Sequence, residues 1–106
     1  MRPEYNFWVY ILTNKSKKVL YVGMTNNLEK RLIEHYANRG NPKTFTGRYN
    51  CYFLVYYEWD RYVLNIISRE KEIKNLTRTN KIELIASANP EWKFYNREIC
   101  GVWPPI

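Results

Sequence analysis

The stretch LYVGMTNNLEKRLIEH, residues 20–35, predicts a strand, a turn and a helix in immediate succession. Its beginning, Leu20 to Gly23, is short, apolar and aromatic, as expected of a half-buried strand. Gly23 is expected at the turn itself, because glycine adopts backbone conformations that other residues rarely adopt. A strand that passes directly into a helix can present side chains from both elements to a single site.

The helix that follows is expected over about residues 27–38. Asn26 is the predicted N-cap, and Glu29 completes a pattern typical of a capping box. Arg31 and His35 are one helical turn apart, so they lie next to each other on one face of the helix. The arginine carries a permanent charge, whereas the histidine ordinarily titrates near neutral pH.

The size and charge of the chain favour one domain that binds a polyanion. With 106 residues the chain is long enough for one compact domain and too short for two, so residues 1–106 are expected to form a single domain after a short lead-in over residues 1–6. Seventeen Lys and Arg residues against ten Asp and Glu residues give a formal charge of +7, which points to nucleic acid. A basic surface that only keeps the protein in solution is the alternative, since charge alone specifies no site.

Several other classes are disfavoured by the cysteines, the histidine and the apolar runs. Cys51 and Cys100 lie far apart and form no C-x-x-C pair, which argues against a zinc ribbon or a disulfide framework. His35 is the only histidine, so a bound cation is expected to take mainly oxygen ligands. The apolar runs are short and interrupted, so neither a signal peptide nor a membrane span is expected and the predicted location is the cytoplasm.

Residues 7–23 contain two aromatic and β-branched segments joined by a polar, turn-prone segment, which predicts an antiparallel hairpin. Residues that face each other across an antiparallel pair point to the same side of the sheet. We predict that Thr13 pairs with Lys18 without a bulge. This register would place Tyr10 and Tyr21 on the same face.

A third strand and two further helices complete the expected fold. Residues 51–58 are apolar nearly throughout, which is typical of a central strand covered on both faces. Helices are expected over residues 60–76 and 80–89, each range beginning at its predicted N-cap, and Pro90 ends the second of them. The aromatic tail from Glu91 should pack back on the domain. The expected class is α/β (α+β), with a small, mostly antiparallel three-stranded sheet flanked by about three helices.

Glu70 occupies an unusual position on the second of the three expected helices. It falls inside an arc of branched apolar residues formed by Val63, Ile66, Ile67 and Ile73. An ionised carboxylate is costly to bury unless it is paired or binds a metal. Glu70 therefore lies at the rim of the core, pairs with Lys74 one turn later, or acts as a functional ligand. Spacing alone favours the rim position or the pair over the ligand.

Two further positions have both a functional and an ordinary explanation. The segment 41–50 combines turn-forming residues with Lys43 and Arg48, which suits a flexible strip that contacts phosphates, although it also suits a solvated connector. Asn89 precedes a proline and should lie at the helix exit with its amide free to act, or serve as a common cap residue.

Together these residues resemble the GIY-YIG nuclease domain. The match consists of VYI (9–11) in the first strand, YVG (21–23) in the second, Arg31 and His35 on the next helix, and a glutamate on a later helix. It spans nearly the whole chain and is most similar to the small stand-alone bacterial members and to the nuclease module of the bacterial excinuclease. Trp8 stands where the family has its first glycine, so the first motif is Trp-Val-Tyr.

The resemblance implies hydrolysis of a phosphodiester in DNA, with RNA not excluded, by an activated water and one divalent cation, Mg²⁺ or Mn²⁺. Glu70 is the implied metal ligand. Tyr10 and Tyr21 are the implied residues that orient or deprotonate the water, without a distinction between base and helper. Arg31 would stabilise the phosphate charge, and His35 would hydrogen-bond a tyrosine hydroxyl or a phosphate.

Other implied roles concern substrate contacts and biological setting. Lys43 and Arg48 would hold phosphates without reading bases, and Asn89 resembles the asparagine that ends the site in related proteins. The excinuclease similarity implies DNA repair or recombination. Two rival functions are a catalytically weak nucleic-acid-binding module on the same scaffold and a protein-interaction domain that uses the aromatic tail. No membrane partner is implied, and the sequence does not specify an oligomeric state.

Overall fold

Three strands and five helices make up the structure, a computed structural model that describes residues 6–105. The strands are β1 (Phe7–Thr13), β2 (Leu20–Thr25) and β3 (Phe53–Asp60). The helices are α1 (Leu28–Ala37), α2 (Phe45–Arg48), α3 (Val63–Lys74), α4 (Arg78–Ala88) and α5 (Asn96–Cys100). The α+β class and the antiparallel three-stranded sheet are confirmed, whereas the predicted lead-in lies, apart from Asn6, outside the described residues.

The order of the sheet is β2-β1-β3, so β1 rather than β3 is the central strand. The prediction that the third strand is central and covered on both faces is therefore wrong. Residues 54–56 are buried, but Tyr57 and Trp59 are 38% and 55% exposed, so the apolar run combines a buried half with an exposed half. The C-terminal segment covers part of the outer edge, where Leu54 N donates to Asn96 Oδ1 at 2.8 Å.

The hairpin of β1 and β2 pairs Thr13 with Leu20. The predicted pair of Thr13 with Lys18 is thus wrong by two residues along β2. The polar segment between the strands is longer than predicted because Asn14 organises it: Lys18 N donates to Asn14 Oδ1 at 2.9 Å. This hydrogen bond keeps Lys18 in the loop and out of the strand ladder.

A shift of two residues keeps every side chain on its original face of the sheet. Tyr10 and Tyr21 therefore share a face, with ring centroids 6.5 Å apart, and β1 pairs with β2 without a bulge, as predicted. On the other side of β1, the pairing with β3 shifts between Ile11 and Leu12 and leaves Val55 as the extra residue.

The sheet separates two apolar clusters. On one face, a cluster joins the sheet to α3 and α4 through Val9, Ile11, Ile66, Ile73 and Ile85. On the other face, a cluster joins the sheet to α1 through Tyr10, Leu12, Leu28, Leu32 and Leu54. Because side chains alternate along a strand, β1 delivers Tyr10 to the α1 side of the sheet.

The helix caps differ from the predicted ones, and α2 and α5 are additional to the three expected helices. The N-caps of α1, α3 and α4 are Asn27, Tyr62 and Thr77, in place of the predicted Asn26, Asp60 and Asn80. The side chains of Asn27 and Thr77 accept hydrogen bonds from the first turns of their helices, whereas Tyr62 makes no side-chain capping bond and its backbone N donates to Asp60 at 2.8 Å. Within residues 6–105, no helix combines the length and the apolar run that crossing a bilayer requires.

The aromatic C-terminal segment packs back on the domain, as predicted. The Trp103 ring lies 5.3 Å from the Tyr36 ring of α1, centroid to centroid. Asn96, at the start of α5, is 1% exposed and donates through its side chain to Tyr52 O at 2.7 Å. These contacts attach the end of the described chain to both α1 and the segment before β3.

Candidate active site

Two strands and one helix bring four candidate side chains together. Tyr10 projects from β1, Tyr21 from the adjacent β2, and Arg31 and His35 from α1, which follows β2 almost directly. The centroid of the His35 ring lies 5.9 Å from that of Tyr10 and 5.7 Å from that of Tyr21. The strand and the helix of the opening stretch therefore contribute to one site.

A cleft of 540 Å³ opens beside these residues. Its lining draws on β2, α1 and the segment around α2, and includes Tyr21, Arg31, Glu34, His35, Phe45 and Thr46. Tyr10 is 1% exposed and does not line the cleft. Of the two tyrosines, Tyr21 is thus the one that a bound substrate can contact directly.

A buried chain of hydrogen bonds runs from Tyr10 through His35 to Thr46. The Tyr10 hydroxyl is 3.0 Å from His35 Nε2, and His35 Nδ1 is 3.2 Å from Thr46 Oγ1. A neutral imidazole donates through one nitrogen and accepts through the other. The two contacts therefore allow Tyr10 to donate to His35 and His35 to Thr46, or the opposite direction throughout.

Burial keeps both members of the Tyr10–His35 pair neutral near pH 7. It raises the pKa of Tyr10 to about 12, although the nearby Arg31 guanidinium acts in the opposite direction. It lowers the pKa of His35 to about 4, and the positive charge of Arg31 adds to this effect. The expectation that His35 titrates near neutral pH is therefore wrong, because a charged imidazole would be desolvated beside a guanidinium.

Arg31 supplies positive charge to the cleft. Its side chain is 40% exposed, and its ion pair with Glu34 spans 3.9 Å, at the long end of the range for such pairs. Its interaction with the Tyr10 hydroxyl raises the pKa of the guanidinium further. Arg31 is thus a charged, weakly paired side chain that can bind an anion.

Gly23 lies inside β2, so its predicted role at a turn is wrong. The strand continues to Thr25, and Gly23 pairs with Tyr10 of β1. A Cβ atom on Gly23 would lie 2.6 Å from the Tyr10 hydroxyl oxygen and 2.7 Å from Tyr10 Cζ, well inside van der Waals contact. Glycine is needed here because the tyrosine ring occupies the space that a side chain would fill.

Glu70 lies on α3, whose buried residues pack on the other face of the sheet from α1. Its side chain is 18% exposed and pairs with Lys74 at 3.3 Å, the pairing that spacing favours. Glu70 does not line the cleft. Burial is the main cause of the raised pKa of Tyr10, and the negative charge of Glu70 adds only a minor contribution.

The side chains near the cleft fit a cation that takes ligands from both protein and substrate better than a cation that takes all its ligands from the protein. Among residues 6–105, no group of three or more His, Cys, Asp or Glu side chains could hold a metal ion. Mg²⁺ commonly binds one or two carboxylates and takes its other ligands from water and phosphate. Glu70 is 18% exposed and carries hard carboxylate oxygens of the kind that such a site uses.

The loop that was expected to contact phosphates contains the short helix α2. Thr44 caps this helix by accepting a hydrogen bond from Gly47 N at 3.1 Å, so the segment is a capped helical turn instead of an irregular strip. Lys43 and Arg48 are exposed, and Arg48 donates to Pro42 O at 3.0 Å. Both cations flank the part of this segment that lines the cleft, without lining it themselves.

Asn89 is occupied in holding the backbone. It is 3% exposed, and its side-chain nitrogen donates to Val55 O and to Lys93 O, both at 2.9 Å. Its side-chain oxygen accepts from Lys93 N, also at 2.9 Å. The expectation that this amide is free to contact phosphate is therefore wrong, because both amide donors and the oxygen already have partners in the protein.

Thr46 and Phe45 belong to the site, although no sequence pattern singled them out. Thr46 is 6% exposed and hydrogen-bonds His35. The Phe45 ring stacks on Tyr21, with centroids 6.1 Å apart and planes inclined by 27°. Both residues lie on α2, which is too short for a periodic apolar pattern, so the capping preference of Thr44 is the only local signal for this helix.

A second network joins β3 to α3 beside Glu70. Arg69 donates through Nε to Glu58 Oε1 and through a terminal nitrogen to Glu72 Oε2, both at 2.9 Å, and the Tyr56 hydroxyl also donates to Glu58. Burial alone would raise the pKa of Glu58, but the hydrogen bonds from Arg69 and Tyr56 outweigh it and lower the pKa. Because Arg69 directly precedes Glu70, this network fixes the rotation of the helix turn that carries Glu70.

The sheet, the helix after β2 and the four clustered side chains define the class of protein. The GIY-YIG catalytic domain family matches residues 6–83. The chain therefore belongs to the GIY-YIG family, a family of nucleases, and its relatives are small UPF0213 proteins.

Individual relatives match most of this chain. A UPF0213 protein of Clostridium perfringens is 41% identical over 92 residues, which cover 87% of this chain and 96% of the relative. One from Syntrophus aciditrophicus is 39% identical over 84 residues, or 79% and 93% of the two chains. The UPF0213 protein of Bacillus halodurans, solved by solution NMR, has a TM-score of 0.53 and 25% identity, covering 88% of this chain and 93% of that chain.

Proposed function

We propose that this protein is an endonuclease that hydrolyses phosphodiester bonds in DNA with the help of one divalent cation. The observation that supports this most directly is the cleft at which Tyr21, Arg31 and His35 meet, with Tyr10 buried beside it, in a chain of a nuclease family. The formal charge of +7 suits a polyanionic substrate.

Arg31 has the properties of the phosphate-binding residue. Its guanidinium is half-exposed at the cleft and only weakly paired with Glu34. Negative charge on the phosphate oxygens grows as the phosphorus–oxygen bond to the leaving group breaks, and a planar cationic fork stabilises that charge. Arg31 therefore binds the substrate and contributes more in the transition state.

The two tyrosines have different roles in this proposal. Tyr21 lines the cleft and orients the attacking water through its hydroxyl. Tyr10 is buried, is hydrogen-bonded to His35 at 3.0 Å and raises the pKa of the nearby Arg31 guanidinium. It therefore positions the guanidinium and the imidazole instead of meeting the water itself. His35, neutral near pH 7, holds the Tyr10 hydroxyl in place.

Glu70 would hold the cation, Mg²⁺ or Mn²⁺, together with water and substrate oxygens. The cation, when bound, supplies Lewis-acid polarisation of the phosphate. Lys43 and Arg48 would contact flanking phosphates without reading bases. A setting in DNA repair or recombination belongs to the same proposal and rests on the resemblance to the excinuclease nuclease module.

The experiment is a cleavage panel on linear and branched DNA and on RNA, with Mg²⁺ or Mn²⁺. Wild-type protein should cleave DNA, and Glu70→Ala should lower the rate by about 100-fold or more, since it removes the metal ligand. Glu83→Ala, which removes an exposed carboxylate from α4, is the matched control and should retain activity. Equal rates for Glu70→Ala and wild type would refute the assignment. DNA binding that depends on salt, without cleavage in either metal, would favour a binding module.

A further inference from the structure

We propose that Phe45 and Tyr49 form a nucleobase-stacking subsite beside the cleft, which selects strands with an unpaired or extruded nucleotide. The inference rests on the proposed nuclease function and specifies its substrate class. It starts from two exposed aromatic rings: Phe45, which lines the cleft, and Tyr49, which contacts Phe45.

The two rings lie against each other and remain open to solvent. Phe45 is 48% exposed and Tyr49 is 43% exposed, and their centroids are 4.9 Å apart. Phe45 also stacks on Tyr21, which lines the cleft. A continuous aromatic surface therefore leads from the site where a phosphate would bind to the solvent-facing side of α2.

Charge around these rings matches a nucleotide. Lys43 and Arg48 lie on either side of Phe45 in sequence, are exposed, and form no ion pair among the residues that the structure describes. Single exposed aromatic residues are common on protein surfaces and need no explanation. Two exposed rings in contact with each other, with two exposed cations nearby in sequence and a proposed phosphate-binding arginine in the same cleft, are a combination that can bind bases and backbone together.

The stacking surface discriminates between forms of nucleic acid for a geometric reason. Each base in a duplex already stacks on its two neighbours, so its face is unavailable to a protein ring unless the nucleotide leaves the helix. A single strand, a flap or a bulge offers such a face without this cost. A phosphate bound at Arg31 next to a base stacked on Phe45 therefore favours unpaired nucleotides.

The test measures binding without cleavage, by fluorescence anisotropy in the absence of divalent metal. The probes are a labelled single strand of about 20 nucleotides and the duplex of the same sequence. Phe45→Leu, which keeps an apolar side chain on Tyr21, should weaken single-strand binding about fivefold or more and change duplex binding less than about twofold. Phe45→Trp should bind like wild type, and so should Phe94→Leu, which alters a phenylalanine of similar exposure in the tail.

The subsite is overturned if Phe45→Leu weakens single-strand and duplex binding equally, or if it weakens neither. It is also overturned if wild-type protein does not bind the single strand. If circular dichroism shows that Phe45→Leu does not fold, the tryptophan fluorescence of Phe45→Trp is measured instead. The fluorescence of wild-type protein is subtracted from it. Quenching of that signal by the single strand supports stacking, and an unchanged signal contradicts it. Selective binding without any cleavage supports the subsite while refuting the nuclease function, whereas cleavage without this selectivity refutes the subsite alone.

Discussion

At the scale of single residues, the site depends on how two neutral side chains are held. Tyr10 and His35 are buried, and each has its pKa shifted away from neutrality, so neither changes charge near pH 7. Helical spacing places Arg31 beside His35, and the resemblance to the nuclease family adds Tyr10 and Tyr21 to the set. They do not predict Thr46, because its role depends on a ring nitrogen brought to it by tertiary packing.

The lowered pKa of His35 predicts a pH-dependent stability. Its pKa falls from 6.5 to about 4 on folding, so between these values the unfolded chain binds a proton that the folded chain does not. The His35 contribution to the free energy of unfolding is therefore complete above pH 6.5 and is lost as the pH falls towards 4, by up to about 1.4 kcal/mol per pH unit. Urea unfolding should show that the free energy of unfolding falls more steeply between pH 7 and pH 5 for wild type than for His35→Gln. Identical pH profiles of the two proteins would contradict the lowered pKa of His35.

Gly23→Ala should disturb the site through Tyr10. The new methyl group would lie 2.6 Å from the Tyr10 hydroxyl oxygen, and overpacking of this kind costs about 1–3 kcal/mol in the free energy of unfolding. Because Tyr10 must shift, nuclease activity per folded molecule should also fall. Gly101→Ala is the control: its positive φ of 79° strains the backbone, but no atom lies within 4 Å of the added Cβ, so only stability should fall. Equal activity per folded molecule in the two variants would argue against the close approach.

At the scale of single elements, α2 is the part of the site that local patterns were least able to predict. The hairpin strands are rich in aromatic and β-branched residues and the three longer helices have helical apolar spacing, so their existence follows from the sequence. α2 has four residues, and its place is set by Thr44, whose hydroxyl accepts from Gly47 N and from the Asn38 side chain. The helix caps also escaped prediction: Asn26 and Asn27 have the same capping ability, and Tyr62 caps α3 without a side-chain hydrogen bond.

Thr44→Ala should loosen α2 and thereby the site. Loss of an N-cap hydroxyl costs about 1 kcal/mol in the free energy of unfolding, and α2 carries Thr46, which holds His35, and Phe45. Urea unfolding and cleavage assays should both show a loss. Thr44→Ser keeps the hydroxyl and should preserve both properties. A serine variant as impaired as the alanine variant would show that the methyl group, and not the cap, matters.

At the scale of the whole molecule, the fold class follows from the sequence but the order of the strands does not. The apolar run of β3 indicates a strand, yet it does not reveal that this strand lies at an edge contacted by Asn89 at the end of α4 and by Asn96 in the C-terminal segment. The relation of Glu70 to the cleft is equally a property of the assembled sheet, since α1 and α3 pack on opposite faces. Composition does predict the basic character that a polyanionic substrate requires.

The most direct test of the central claim, that the cleft residues cleave DNA, is the rate at which supercoiled plasmid is nicked in Mg²⁺ by Arg31→Ala and by Arg61→Ala. Both variants lose one positive charge, but Arg31 lines the cleft and Arg61 is exposed outside its lining. The rate should fall about 100-fold or more for Arg31→Ala, because charge on the phosphate loses its partner in the transition state, and stay near wild type for Arg61→Ala. Equal nicking rates for wild type and both variants would contradict the assignment of this cleft as the active site.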